Sequence, residues 1–253
     1  MLNSITVTKL REMRLSTMAD AFLQQQDIPD IPTMSFDDRF GLIVDAEYTT
    51  RENNRLKRLI RNAGYPCSAC LEGIEYHADR HLDKGLISRL GTCNFIAECH
   101  NVIIQGATGS GKTYIACALG VAANRQLYSV KYVRLPDLLV EIQAARAENS
   151  YGKLMTSYLK FKLLILDEWL LYPLTETSSR DLLELVERRY KKAATIFCSQ
   201  FTAAGWHEKI GDALLSDAVC DRIVHDSYTL TVNGDESMRK RKGIASSVKY
   251  SSQ

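Results

Sequence analysis

The segment from Gly106 to Thr113 constrains the fold of this chain more than any other feature of its 253 residues. It reads GATGSGKT and fits the pattern G-x-x-x-x-G-K-[ST] at every position. The apolar run 101–105 before it predicts a buried strand, and the run 114–119 after it predicts a helix. A glycine-rich turn in that place directs backbone N–H groups at phosphate oxygens, and the start of the helix favours an anion. The sequence therefore predicts a strand–loop–helix unit that binds a nucleoside triphosphate.

The residue types within this segment indicate which part of the nucleotide each residue would bind. Lys112 is expected to reach the β- and γ-phosphates, and the Thr113 hydroxyl to coordinate Mg²⁺. A glycine-rich turn that carries a lysine by chance is the alternative, and the matching flanks make it the weaker one. The predicted nucleotide-binding residues are Gly106, Ala107, Thr108, Gly109, Ser110, Gly111, Lys112 and Thr113.

A second apolar run, 163–166, leads into the acidic pair Asp167 and Glu168. We expect a strand beside the phosphate loop that delivers carboxylates to the triphosphate. Asp167 would join the Mg²⁺ shell, and Glu168 would deprotonate the attacking water. Two solvated acids at a strand end are the alternative, and the phosphate loop upstream favours the catalytic interpretation.

Two further candidates follow along the chain. The predicted strand 194–199 ends in polar groups, and either Ser199 or Gln200 could contact the γ-phosphate or its water. A plain transition from strand to loop has the same sequence. Arg222 lies in a predicted helix, where it is either an arginine finger for a neighbouring subunit or half of a surface pair with Asp221.

The order of predicted elements indicates an α/β ATPase domain at 93–253, preceded at 1–92 by a helical domain. In the second part, apolar runs alternate with helical patterns, which is typical of a parallel sheet with crossover helices. Helices are expected in the first part at 9–26, from Ser35, at 51–61 and at 72–90. The expected strands of the second part are 101–105, 129–135, 162–167 and 194–199, and its helices are 112–125, 136–148, 178–192 and 212–225.

Bulk properties are those of a globular protein. The chain is 45% hydrophobic and 25% charged, with a net charge of +2. No apolar run reaches the ~18 residues of a membrane span, and the first residues lack the order of a secretory signal. We therefore expect a cytoplasmic protein without a membrane partner, whose seven cysteines are reduced.

A cysteine–histidine cluster follows the predicted helix 51–61. Its ligand types suit zinc, and its two histidines lie one helical turn apart. The gap between the two pairs is shorter than in common zinc fingers, so free thiols and surface histidines are the favoured interpretation, with zinc left open. The residues are Cys67, Cys70, His77 and His81.

Basic residues concentrate in a few places. The helix predicted at 51–61 carries five basic residues and one acidic one, which suits contact with the phosphate backbone of DNA. A solvated helix face is the equally weighted alternative. Further clusters lie at 188–192 and at the tail 239–242. The candidate DNA-binding residues are Arg51, Arg55, Lys57, Arg58 and Arg61.

Taken together, these segments resemble the AAA+ ATPases, and within them the IstB-like transposition helpers, relatives of the DnaC-like helicase loaders. The resemblance rests on the phosphate loop, the acidic pair and further places along the chain: 10–15, 63–66, 101–106, Arg189-Tyr190, Trp206, Asp221–His225 and the closing Gly234…Ser237-Met238-Arg239. It implies a P-loop AAA+ core without a C-terminal helical lid. The site it implies has Arg222 acting in trans, with Arg239 as a second phosphate-sensing arginine.

The resemblance also implies a function. An oligomer, ring or helical filament, would assemble on duplex DNA with ATP and Mg²⁺ and would recruit or activate a cognate transposase. A DnaC-like replicative helicase loader is the alternative with the same core. A P-loop kinase for a small molecule is disfavoured, because the acidic pair and a trans-acting arginine suit attack by water.

Overall fold

A computed structural model describes residues 2–27, 33–234 and 237–241. The chain divides into two compact units, Met1–Arg58 and Leu59–Gln253, whereas the sequence placed the boundary after residue 92. Residues 59–92 belong with the second unit because they contribute to its apolar core: Ala63, Ile74, Ile87 and Leu90 are buried in one cluster with the strands.

Helices build the first unit. They are α1 (Leu2–Glu12), α2 (Ser16–Gln24) and the beginning of α3 (Phe36–Ala63). The single helix expected at 9–26 is divided, because Arg14 has a left-handed backbone with φ of 61°. The predicted start of α3 is confirmed: the Ser35 hydroxyl accepts a hydrogen bond from the Asp38 N–H at 3.1 Å.

The helix expected at 72–90 is mostly absent. Only α4 (Lys84–Gly91) forms, preceded by single 3-10 turns at Leu71–Gly73 and Ala78–Arg80 and followed by the short α5 (Asn94–Ala97). His81, with φ of 46°, interrupts the helical path. Asp83 then starts α4 afresh by accepting a hydrogen bond from the Leu86 N–H at 2.9 Å.

Five parallel strands form the sheet of the second unit, in the order β2-β3-β4-β1-β5. The four predicted strands are confirmed, and the half-exposed edge strand β5 was missed because its polar alternation is short. The phosphate-loop strand β1 and the acidic strand β3 are not paired with each other, since β4 lies between them. The strands are β1 (Asn101–Gln105), β2 (Val130–Arg134), β3 (Leu163–Trp169), β4 (Ala194–Ser199) and β5 (Ser227–Thr231).

Helices cover both faces of this sheet. Apolar side chains of the strands therefore enter two clusters, one with Ile104, Ile165 and Ile196 and the other with Leu164 and Phe197. The four helices predicted here are confirmed to within three residues, and α8, α10 and α12 were not expected. The helices are α6 (Lys112–Arg125), α7 (Leu135–Ala147), α8 (Tyr151–Leu159), α9 (Glu176–Arg189), α10 (Ala203–Ile210), α11 (Ala213–Val224) and α12 (Met238–Arg241).

Beyond β5, the described residues contain one short helix, α12, in place of a helical lid. Of the helices in the described ranges, none combines the length and the apolar character that crossing a membrane requires.

Candidate active site

The phosphate loop joins the carboxyl end of β1 to α6. Gly106 has φ of 154°, and a Cβ atom there would lie 2.1 Å from the Val232 carbonyl oxygen, so that only glycine fits. Helix α6 starts after Gly111 without a side-chain cap. No side chain therefore competes with an anion for its first N–H groups.

Lys112 is held close to this loop. Its side chain is 8% exposed, and its Nζ donates to the carbonyl oxygens of Gly106 at 2.7 Å and Ala107 at 2.8 Å. The ammonium group thus lies over the backbone that would surround the phosphates. A cation in this place can neutralise charge on a triphosphate.

Asp167 is the centre of a small hydrogen-bond network. Its Oδ2 accepts from the Thr113 hydroxyl at 2.7 Å and from the Tyr132 hydroxyl at 2.8 Å, and its Oδ1 accepts from the Glu168 N–H at 2.8 Å. Thr113 and Asp167 are thus brought together across the intervening strand. A buried carboxylate beside the phosphate-loop hydroxyl is a donor set that fits Mg²⁺ bound to a triphosphate.

Glu168 projects differently because β3 is irregular at this point. The pairing of β3 with β4 shifts register between Leu166 and Trp169, and Glu168 has φ of 53°. Such bulges re-aim side chains next to functional sites. The Glu168 carboxylate accepts from Arg134, at the end of β2, at 2.7 Å, and this bond raises the pKa of the Arg134 guanidinium.

Of the two candidates at the end of β4, Ser199 and Gln200, Ser199 has its side chain turned into the protein interior. Ser199 is fully buried, and its hydroxyl donates to the Trp169 carbonyl and accepts from the Trp206 indole at 3.0 Å and the Phe201 N–H at 3.1 Å. Its hydrogen-bonding capacity serves the aromatic core. Gln200 is exposed, one residue beyond Ser199, whose carbonyl accepts from the Gly106 N–H.

The site also has a wall that sequence reasoning missed. A cavity of about 440 Å³ lies between the phosphate loop with the start of α6 and the segment 66–80. Ile74, Glu75 and Arg80 line one side, and Gly111 and Tyr114 line the other. No local pattern in 66–80 signals this role, because it depends on how the segment folds back over the loop.

Comparisons with known proteins bear on the family of this chain. The IstB-like ATP binding protein family matches residues 8–246. This chain belongs to that family. An insertion sequence ATP-binding protein of Sinorhizobium fredii is 39% identical over 95% of this chain and 96% of its own length. The insertion sequence IS21 ATP-binding protein of Pseudomonas aeruginosa is 27% identical over 94% of this chain and 89% of its own length.

Solved structures share the fold of this IstB-like protein. AMPPCP-bound DnaA from Aquifex aeolicus matches with a TM-score of 0.57 and 18% identity, over 74% of this chain and 56% of that one. The DnaC helicase loader matches with a TM-score of 0.52 and 15% identity, over 65% of this chain and 97% of that one. The second unit therefore has the α/β fold of these proteins, and family membership makes it an ATP-binding core, as the sequence predicted.

Arg222 lies away from the phosphate loop of this IstB-like chain. It lines a small cavity with Asn101 and Thr195, near the amino ends of β1 and β4, whereas the loop follows the carboxyl end of β1. Its guanidinium donates to Glu187 at 2.8 Å and to the Ala218 carbonyl of its own helix. The surface pair considered from sequence, with Asp221, is thus replaced by a pair with Glu187.

The five candidate DNA-binding residues are all exposed on α3. Arg51, Arg55 and Arg58 share one helix face at i, i+4 and i+7. Arg51 also bonds to Glu47 at 2.7 Å and to the Arg14 carbonyl, and Arg55 lies 3.8 Å from Glu52. The other two are Lys57 and Arg61.

The other basic clusters contain residues that are already engaged. Arg189 is 3% exposed and donates to the carbonyls of Tyr158 and Phe161 at the base of the sheet, so it cannot face DNA. Arg241 pairs with Asp79. The side chain of Arg239 and the whole of Lys242 lie outside the described residues.

Within the described residues, no group of three or more histidine, cysteine or acidic side chains is placed to hold a metal. Cys67 is exposed, Cys70 is partly exposed, and His77 lies 2.9 Å from Glu75. His81 is exposed at the end of its turn. Burial raises the pKa of Cys93 and Cys220 to about 11 and favours the thiol form.

Proposed function

We propose that this protein uses ATP to assemble on duplex DNA as an oligomer and there recruits or activates a transposase. The observation that carries the proposal is family membership over almost the whole chain, with relatives named as insertion sequence ATP-binding proteins. Because prokaryotic DNA lies in the cytoplasm, a protein that acts on this DNA would be cytoplasmic. The DnaC-like loader is the weaker alternative, since that likeness concerns the fold alone.

The geometry of the site supports a separate role for each of its residues. The phosphate loop and Lys112 hold the triphosphate, and Thr113 and Asp167 hold Mg²⁺, which would neutralise phosphate charge when bound. Glu168 accepts the proton of the attacking water. Gln200 is the polar residue for the γ-phosphate, since the Ser199 hydroxyl is engaged in the core.

Hydrolysis by this arrangement needs a second subunit. Arg222 and the phosphate loop lie at opposite ends of β1, whose five residues span about 13 Å from first to last Cα at ~3.3 Å per residue. Arg222 therefore serves the site of a neighbour, after leaving Glu187, an exposed pair worth about 1 kcal/mol or less. Head-to-tail contacts of this kind build rings or helical filaments.

Mixing two inactive variants tests this assignment. Glu168→Gln retains a functional Arg222 but cannot hydrolyse ATP, and Arg222→Ala retains an intact nucleotide site. Together on duplex DNA they should recover part of the wild-type phosphate release, because each mixed interface can join an intact site to an intact finger. Arg188→Ala, which removes an exposed arginine paired with Glu184, is the matched control and should remain active alone.

Sedimentation of the same proteins with duplex DNA tests assembly. Wild type and Glu168→Gln should form large complexes with ATP, the latter persistently, whereas Lys112→Ala should lose nucleotide binding and assembly together. A wild-type protein that stays monomeric with saturating ATP and DNA would contradict the proposed function. Mixed variants without recovered activity, on an assembled wild type, would contradict only the role of Arg222.

A further inference from the structure

A buried arginine lies against the phosphate loop, on a segment that the motifs do not cover. Arg80 ends the turn Ala78–Arg80 and is 4% exposed. Its Nη2 donates to the Ser110 carbonyl of the phosphate loop at 2.8 Å, and its Nη1 donates to the Glu75 carbonyl. Two backbone carbonyls therefore fix the plane of the guanidinium beside the loop.

Within the described ranges, no carboxylate forms an ion pair with Arg80; burial lowers the pKa of its guanidinium, and the charges of Glu75 and Asp79, from further away, only partly offset this. The adjacent Asp79 pairs with Arg241 instead. The Nε of Arg80 is buried and makes no hydrogen bond to any described residue. Burial of a cation with a spare N–H is costly, and a bound anion relieves both the charge and the unmade hydrogen bond.

The position of the Arg80 guanidinium determines which part of a bound nucleotide it can contact. Arg80 lines the cavity beside the phosphate loop, and its Nη2 lies 2.9 Å from where a Cβ of Gly111 would be. It thus contacts the peptide at the start of α6, where backbone N–H groups surround the α- and β-phosphates, whereas Lys112 reaches the β- and γ-phosphates.

We propose that Arg80 binds the nucleotide at the α/β end of its phosphate chain. This inference rests on the proposed nucleotide site and adds to it a cation from outside the phosphate loop. The contribution of Arg80 is the same for a diphosphate and a triphosphate, since both carry the α- and β-phosphates. Arg80 therefore retains nucleotide after hydrolysis and does not distinguish ATP from ADP.

Fluorescence titration of the full chain with mant-ATP and mant-ADP tests the inference, using wild type, Arg80→Met and Arg80→Lys. We expect Arg80→Met to raise both dissociation constants by about tenfold or more, because a charge-assisted hydrogen bond is lost. Arg80→Lys keeps the charge and should fall between wild type and Arg80→Met. The ratio of the two constants should stay at the wild-type value in both variants.

Arg189→Lys is the matched control, since Arg189 is also buried and bonded to backbone carbonyls, but at the other end of the strands. It should lower the unfolding temperature and leave the mant-ADP constant unchanged. Wild-type affinity for ADP in the Arg80 variants, weakening confined to ATP, or equal weakening in Arg189→Lys would each overturn the inference. If Arg80→Met does not fold, the dissociation constants of Arg80→Lys test the inference by the same criteria. A wild type that binds neither nucleotide would overturn the nucleotide site itself.

Discussion

Replacing Tyr132 with phenylalanine removes one atom from the network around Asp167 and keeps the ring. The lost hydroxyl donates at 2.8 Å to an oxygen that also accepts from Thr113. Burial, together with the Asp167 carboxylate, raises the pKa of Tyr132, so the hydroxyl is a donor throughout the pH range in which the protein would be studied. The substitution therefore isolates one hydrogen bond to a charged group.

The structure sets the size of the effect. Asp167 is 6% exposed, so water does not readily replace the lost donor. A hydrogen bond to a charged group contributes about 1.5–3 kcal/mol, and we expect Tyr132→Phe to lower the free energy of unfolding by that amount. Tyr158→Phe is the matched control: its hydroxyl donates at 2.6 Å to Glu141, which is exposed and can be solvated. That variant should lose about 1 kcal/mol or less.

Urea denaturation measures both losses, and a Mg²⁺ titration of mant-ATP binding measures the functional effect. A carboxylate with one orienting donor fewer is a less preorganised metal ligand, and such changes typically cost about 10–100-fold in metal affinity. Tyr132→Phe should therefore need at least about tenfold more Mg²⁺ for half-maximal tight binding. Affinity without Mg²⁺ should stay at the wild-type value. An unchanged Mg²⁺ requirement, with a stability loss no larger than that of Tyr158→Phe, would refute this reasoning.

Other contacts lead to three more predictions. Arg134→Ala releases Glu168 from an exposed pair worth about 1 kcal/mol and should raise basal phosphate release by up to about fivefold. An unchanged rate would show that the pair does not restrain Glu168. ADP should slow thiol labelling of Cys67, which lines the nucleotide cavity, but should not slow labelling of Cys99. Equal labelling rates of Cys67 with and without ADP would place the nucleotide elsewhere. Charge reversal on α3 should weaken duplex binding and flatten its dependence on salt in a filter-binding assay, since fewer phosphates are neutralised, and salt-insensitive wild-type binding would contradict electrostatic recognition. The positions to reverse are Arg55, Lys57 and Arg58.

Local sequence was sufficient for the features that depend on neighbouring residues. The phosphate loop from Gly106 to Thr113, the helix α6 after it and the acidic end of β3 could be located because each is a contiguous pattern. The alternation of apolar and helical runs predicted a parallel sheet for the same reason: strands buried on both faces are continuously apolar. Family resemblance then indicated an IstB-like ATP-binding protein and its fold, which the comparisons confirm.

Tertiary structure alone decided which groups meet at the site. Tyr132 and Arg134 approach the acidic pair because β2 pairs with β3, and Arg80 reaches the loop because the segment 66–80 folds back over it. The inward turn of the Ser199 hydroxyl depends on the Trp169 carbonyl, 30 residues earlier in the chain, to which it donates. Pairings of this kind join residues far apart in the chain, and many strand orders are compatible with the same local patterns, so the packing of the whole core selects among them.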